Sequence, residues 1–243
     1  MKTLNTFFFG LFFSVLGMGT ALSQNIHQHQ QWQDLLQTYV NTNGDVDYKN
    51  LKKNERKLDT YLDLISKNPP QDSWTKNQKK AYLINAYNAF TVKLILDHYP
   101  VESIKDIGGF FSSPFTTEFA KIDGKLYSLD DIEKGMLLKM GDPRVHFAVN
   151  CASESCPKLL NEAYVASKLD KQLDASSKTF VNSNKNKLSK TKVELSKIFK
   201  WYASDFESEY GTVIRFINMY ANETINEEAY IDYLSYSWEL NEM

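Results

Sequence analysis

The densest cluster of reactive side chains in the 243-residue chain is the run DPRVHFAVNCASESCP, residues 142–157, which contains Arg144, His146, Asn150, Cys151, Ser153, Glu154, Ser155 and Cys156. A thiol beside an imidazole is the chemistry of acyl transfer. The thiolate attacks a carbonyl, the imidazole takes and returns the proton, and a third group fixes the ring. On that reading Cys151 or Cys156 is the nucleophile, His146 the base, and Glu133 or Asn85 the orienting group. A second reading makes Cys151 and Cys156 a disulfide, with His146 and Glu133 binding a ligand without chemistry. A third, with Ser153 or Ser155 as nucleophile, ranks last because no Gly-x-Ser-x-Gly turn is present. No metal site is indicated: His146 has no second histidine at ligand spacing, His98 follows a helix, and His27 and His29 sit in a polar lead-in. No cofactor is implied.

These side chains must be placed by the elements around them. If VHFAVN (145–150) is a strand, His146, Ala148 and Asn150 share one face and Cys151 points to the other, so a His–Cys pair needs a turn at Asn150 or Cys151. Upstream, the spacing predicts helices over 32–40 and 51–65, the latter ended by Asn68-Pro69-Pro70. The strongest helix is predicted over 74–99 with Ser73 as N-cap, and it is apolar over most of its circumference. Within that surround lie Asn85, Asn88 and Thr91; buried amides need partners, so they are read as bonding neighbouring loops and fixing the fold, the alternative being a polar face that borders a pocket, and Asn85, Asn88, Arg144 and Asn150 are the expected polar network. A hairpin is predicted over 119–128 around Asp123-Gly124, then a short helix from Ser128 or Asp130 through Leu137, broken by Asp142-Pro143. Helical spacing returns over 159–180. A polar hairpin between Phe180 and Leu195 carries Lys185, Lys187, Lys190 and Lys192 as a solvated face, and helices follow near 196–206, 211–222 and 226–234. The fold class expected is α+β: a mainly helical single domain over 32–243 with a small antiparallel sheet.

Composition sets the wider bounds. Aromatic residues at 14% and charged residues at 24% suit a chain with a sizeable core. A formal charge of -2 lacks the basic footprint of a dedicated nucleic-acid binder. Residues 1–23 read as a secretory signal peptide: Lys2, an apolar run from Phe7 to Leu16, and small Ala21 and Ser23 before Gln24. Residues 24–31 are expected to be a flexible lead-in, and no segment of the mature chain is apolar enough to span a bilayer. The protein is therefore expected to be exported, to the periplasm or beyond. An oxidising compartment favours the Cys151–Cys156 disulfide.

Six segments carry a family resemblance: VDYKNL (46–51), LINAYNAF (83–90), LYSLDDIEKGML (126–137), DPRVHFAVNCASESCP (142–157), EAY (162–164) and LSKIFKWYASDF (195–206). In this order they resemble the bacterial and plant domain of unknown function 547 family, from about residue 32 to the C-terminus. The resemblance implies that Asn85, Tyr87, Asn88, Glu133, Arg144, His146, Cys151 and Cys156 occupy the family's motif positions. Many relatives carry His where this chain has Lys134, a departure that bears on any mechanism needing two histidines near Glu133. A helix followed by a His-bearing strand is also similar to the papain and transglutaminase layout, although there the helix supplies Cys and here it offers Asn85. The leading expectation is a non-catalytic envelope or extracellular binding domain for a small molecule or peptide, stabilised by the disulfide. The alternative is a thiol-dependent hydrolase or transferase acting on amide or thioester bonds.

Overall fold

The computed structural model describes residues 26–109 and 112–243; the leader read in residues 1–23 lies outside the described residues. Helix α1 (Gln30–Tyr39) packs on α2 (Tyr48–Lys53) and α3 (Glu55–Lys67), and these two pack against α4 (Lys76–His98). The predicted 51–65 helix is two helices, divided at Asn54. α4 starts at Thr75 rather than Ser73 because Thr75-x-x-Gln78 forms a reciprocal cap. The Thr75 hydroxyl accepts the Gln78 N–H at 3.2 Å, and the Gln78 side chain accepts the Thr75 N–H at 2.8 Å. α4 is buried along nearly its whole length, as its all-round apolar surface requires. Residues 26–31 are not a free lead-in: Ile26 and His29 are buried, and His29 Nδ1 meets the Tyr61 hydroxyl at 2.8 Å.

Strands β1 (Ala120–Ile122) and β2 (Lys125–Tyr127) form the expected hairpin. Asp131–Leu137 winds as a π-helical turn, its start tied by the Asp131 carboxylate accepting both the Ser128 N–H and hydroxyl. The expected strand over 145–150 is absent. Pro143–Phe147 is instead a 3-10 helix, begun by Asp142 accepting the Arg144 N–H at 3.2 Å and by Pro143 with its preset φ. An apolar run buried on every side looks like a strand to a periodicity argument, and here the cap decides.

The remaining chain forms α5 (Leu169–Val181), β3 (Lys187–Leu188), β4 (Lys192–Leu195), α6 (Lys197–Trp201), α7 (Ala203–Tyr210), α8 (Val213–Asn218) and β5 (Tyr230–Tyr233). The segment before α5, expected to be helical from 159, is irregular because Asn85 and Gln172 hold its backbone by side-chain bonds. The expected 226–234 helix is a turn followed by β5; its Tyr-Ile-Asp-Tyr sequence suits a strand and pairs parallel to β4, while β3 pairs antiparallel to β4. The result is a mainly helical α+β domain with two cores. One is centred on α4; the other gathers Phe147, Phe180, Phe199, Phe206 and Phe216. No helix among the described residues is long and apolar enough to cross a membrane.

Candidate functional site

The 3-10 helix lies at the seam of the two cores. Val145 packs into the first and Phe147 into the second, and His146 between them faces a cavity of about 400 Å³. Its ring is 2% exposed, stacks on Tyr202 at 3.9 Å, and is bonded through Nε2 to Asp205 Oδ2 at 2.8 Å. That bond holds the Asp205 carboxyl below its ordinary range, so Asp205 is a charged acceptor and Nε2 carries the proton. The other ring nitrogen, Nδ1, has no hydrogen-bond partner.

Glu133, on the π-helical turn, is buried in the same cavity wall. Its Oε1 accepts the Tyr202 hydroxyl at 2.9 Å and lies 3.9 Å from His146 Nδ1, beyond hydrogen-bond reach. Burial pushes this carboxyl up, against the opposing pull of His146 and Tyr202. A π-helical turn at this point fits the tendency of such turns to aim side chains at working sites.

Cys151 and Cys156 also line the cavity. Their sulfurs are 2.6 Å apart, whereas a disulfide requires about 2.05 Å. Both thiols are free, so the expected disulfide is not present. The Cys151 sulfur is also 3.2 Å from the Ser153 hydroxyl and 3.3 Å from that of Tyr236. Burial pushes the Cys151 thiol up, but the bonds from Cys156, Ser153 and Tyr236 overcome it and bring it down to about 7. Cys156, more deeply buried and next to that sulfur, is pushed up. The two thiols are thus pushed in opposite directions, Cys151 down and Cys156 up.

The loop between them is fixed on several sides. Asn88 accepts the Asn150 N–H at 2.8 Å and donates to the Ala148 carbonyl at 2.9 Å. The Asn150 side chain donates to the Pro157 carbonyl and accepts the Ala152 N–H, and Ala152 takes a φ of 56°, supplying the turn that brings Cys151 to the cavity. The C-terminal segment crosses the loop through backbone bonds between Glu154 and Glu239 and between Asn241 and Ala152. That crossing delivers Tyr236 and Trp238, which with Trp201 form an aromatic wall with ring centroids 4.8 to 6.0 Å apart.

The structure therefore brings Glu133, His146, Cys151 and Cys156 to one cavity. Asn85 is elsewhere: fully buried, it bonds both the N–H and the carbonyl of Tyr164. Arg144 is bound to Asp142, Asp170 and Asp174 and holds the 3-10 helix to α5. Of the four members of the expected polar network, only Asn88 and Asn150 bond each other. Ser155 accepts the Ser237 N–H, and buried Ser153 serves Cys151 and Tyr236. His98 bonds the Leu94 carbonyl at its helix end. The sequence reading missed Asp205, Tyr202, Trp201, Tyr236 and Trp238. Asp205, Tyr202 and Trp201 stand in LSKIFKWYASDF, a segment that carries the family resemblance without a residue type that announces its chemistry. Among the described residues no group of three His, Cys, Asp or Glu side chains is arranged to hold a metal ion.

Comparison with curated proteins gives no match, and comparison with solved structures gives none. A family model, protein of unknown function DUF547, matches residues 71–181, from the turn before α4 to the end of α5. The match includes Glu133, His146, Cys151 and Cys156 and stops short of Asp205 and Tyr236. Over residues 71–181 the chain carries a DUF547 domain, a member of that family of unknown function.

Proposed function

We propose that the cavity is the active site of a thiol-dependent acyl hydrolase or transferase acting on an amide or thioester, with Cys151 as nucleophile and His146 as base. One observation carries this reading: the Asp205-anchored imidazole leaves Nδ1 unpartnered in the cavity that also holds the free Cys151 thiol. The sequence favours a non-catalytic binding domain on the strength of an expected disulfide, and two free thiols remove that reason.

The chemistry balances with the groups in place. The Cys151 proton passes to His146 Nδ1, and the thiolate forms a C–S bond to the substrate carbonyl. The carbonyl oxygen becomes an oxyanion within the cavity, where the Tyr236 hydroxyl, 3.3 Å from the sulfur, is a neutral donor in the wall. Collapse breaks the bond to the leaving nitrogen or sulfur, which takes the proton from Nδ1. Nδ1 then deprotonates water, or an acceptor amine or thiol in a transferase. That nucleophile attacks the acyl carbon, and Cys151 departs as thiolate. Asp205 fixes the tautomer and stabilises the imidazolium. The aromatic wall of Trp201, Tyr236 and Trp238 suits a planar or apolar group on the substrate.

The second reading, a binding pocket without chemistry, is favoured by that same aromatic wall. Intact mass after iodoacetamide, with and without reductant, separates the two. The thiol reading expects one label without reductant, lost in Cys151→Ala and slowed in His146→Ala. Labelling of both cysteines only after reduction returns the protein to the binding reading. Performing this on protein recovered from the periplasm also tests the export inferred from residues 1–23, since cleavage before Gln24 fixes the mass.

A further inference from the structure

The lysines of the polar hairpin do not form one solvated face. Lys187 and Lys192 lie near Glu194 at 3.5 and 3.9 Å and are well exposed. Lys185, in the turn between α5 and β3, is different. Its Nζ donates to the carbonyl oxygen of Glu154 and to that of Cys156, the latter at 2.7 Å. Burial pulls its ammonium down, against the nearby Cys156, Cys151, Glu154 and Asp45. It lines a second, polar cavity of about 510 Å³ that shares Cys156 with the first. The cysteine loop thus borders two cavities, with the aromatic wall on one and a lysine on the other. Lys158, whose ammonium bonds the Thr42 carbonyl, also lines the second cavity but bonds nothing in the loop.

We propose that Lys185 is a positioning residue for Cys151: clamped by the Glu154 and Cys156 carbonyls, it holds the loop so that the Cys156 sulfur and the Ser153 hydroxyl stay on the Cys151 sulfur. The inference rests on Cys151 being the nucleophile proposed above. The upstream end of the loop is already fixed by Asn88 and Asn150. The downstream end carries Cys156, and there Lys185 supplies charge-assisted bonds to two carbonyls. An apolar side chain at 185 leaves those carbonyls without that donor, lets residues 154–156 relax, and takes from Cys151 the nearest of its three hydrogen-bond partners. The same change removes a positive charge from the neighbourhood of both sulfurs. Arginine keeps the charge and offers two N–H groups to two carbonyls; glutamine keeps one or two neutral bonds.

The test follows the pH profile of iodoacetamide alkylation at Cys151, resolved by peptide mass, in the full chain and in Lys185→Arg, Lys185→Gln and Lys185→Met. Amide hydrogen exchange over residues 151–156 is measured alongside. The Met variant is expected to move the alkylation midpoint up by about one unit, roughly a tenfold loss of thiolate near pH 6. It should also speed exchange in the loop, with Gln intermediate and Arg close to the parent. A merely structural lysine would alter thermal stability without moving the midpoint in that graded order. A neutral parent midpoint that stays in place in the Met variant overturns the role of Lys185 and leaves the nucleophile reading standing. A parent midpoint at the ordinary thiol value of about 8.5 overturns the nucleophile reading, and this inference with it.

Discussion

The two cores of this domain are built differently, and the site lies where they meet. The α4 core is large, mixed aliphatic and aromatic, and made by helices that read clearly in the sequence. The second is small and dominated by phenylalanine, with Phe147 in contact with Phe180, Phe199, Phe206 and Phe216 at centroid distances of 5.0 to 5.8 Å. Val145 belongs to one, Phe147 to the other, and His146 is held between them by Asp205 of the second. The family match covers most of the first core and ends before Asp205. A seam gives a catalytic group what a single core does not: packing tight enough to fix a ring, and a cavity where the packing is interrupted.

The sharpest break of that comparison is at the bridge itself. Asp205→Asn is expected to lower turnover on a cleavable thioester by about 10³-fold, because an amide no longer enforces the Nε2–H tautomer. Alkylation of Cys151 should slow in the same variant, as in His146→Ala, but by less than turnover, because Cys156, Ser153 and Tyr236 still hold the sulfur. Unchanged turnover in Asp205→Asn would remove Asp205 from the mechanism.

Phe147→Ala and Val145→Ala compare the two sides of the seam. Loss of Phe147 should cost about 3–5 kcal/mol by denaturant unfolding, since it removes the ring shared by four others, while Val145→Ala should cost about 2 kcal/mol. A smaller loss at 147 than at 145 would remove the second core as an independent source of stability.

A third measurement concerns the edge of the first core. Burial lowers His29 from 6.5 to about 3. The folded value is below the unfolded one, so its contribution is fully present above pH 6.5 and is lost as pH falls through that value toward 3. Stability should therefore decline by on the order of a few kcal/mol between pH 6.5 and pH 4. His29→Asn, which tolerates the φ of 49° at this position, should flatten that part of the curve in urea titrations. An unchanged slope would assign the acid sensitivity to other groups.

The smallest effect is expected at Glu133. Its folded value lies above the unfolded 4.5, so the buried carboxylate weakens the fold as pH rises from 4.5 through the folded value. Glu133→Gln keeps an acceptor for the Tyr202 hydroxyl and should raise the melting temperature at pH 7 by a few degrees, of order 1 kcal/mol. A lower melting temperature would show that the carboxylate is needed for packing at the seam.

Much of the first core was legible because its signals are local. α1 and the β1–β2 hairpin follow from spacing and turn chemistry. Local reasoning went astray where a long-range contact overrode it. The 159–168 segment has helical spacing, yet Asn85 and Gln172 hold its backbone in an irregular path. Asn85 has the character of a catalytic amide but spends both of its polar atoms on Tyr164. Lys185 looked like its solvated neighbours because burial of a single ammonium leaves no trace in a lysine-rich hairpin.

The sequence alone determined the mainly helical α+β character, the family resemblance, the thiol and imidazole in one short segment, and the near-neutral charge. Each depends on residue type and on spacing within a few turns of chain. Only the tertiary structure decided that VHFAVN is a helical turn, that the two cysteines stay unbonded, and that His146 is anchored by Asp205, 59 positions away, with Tyr236 reaching Cys151 from 85 positions away. Those outcomes are set by which surfaces bury one another, and pairings at such separations are fixed only when the two cores close on each other.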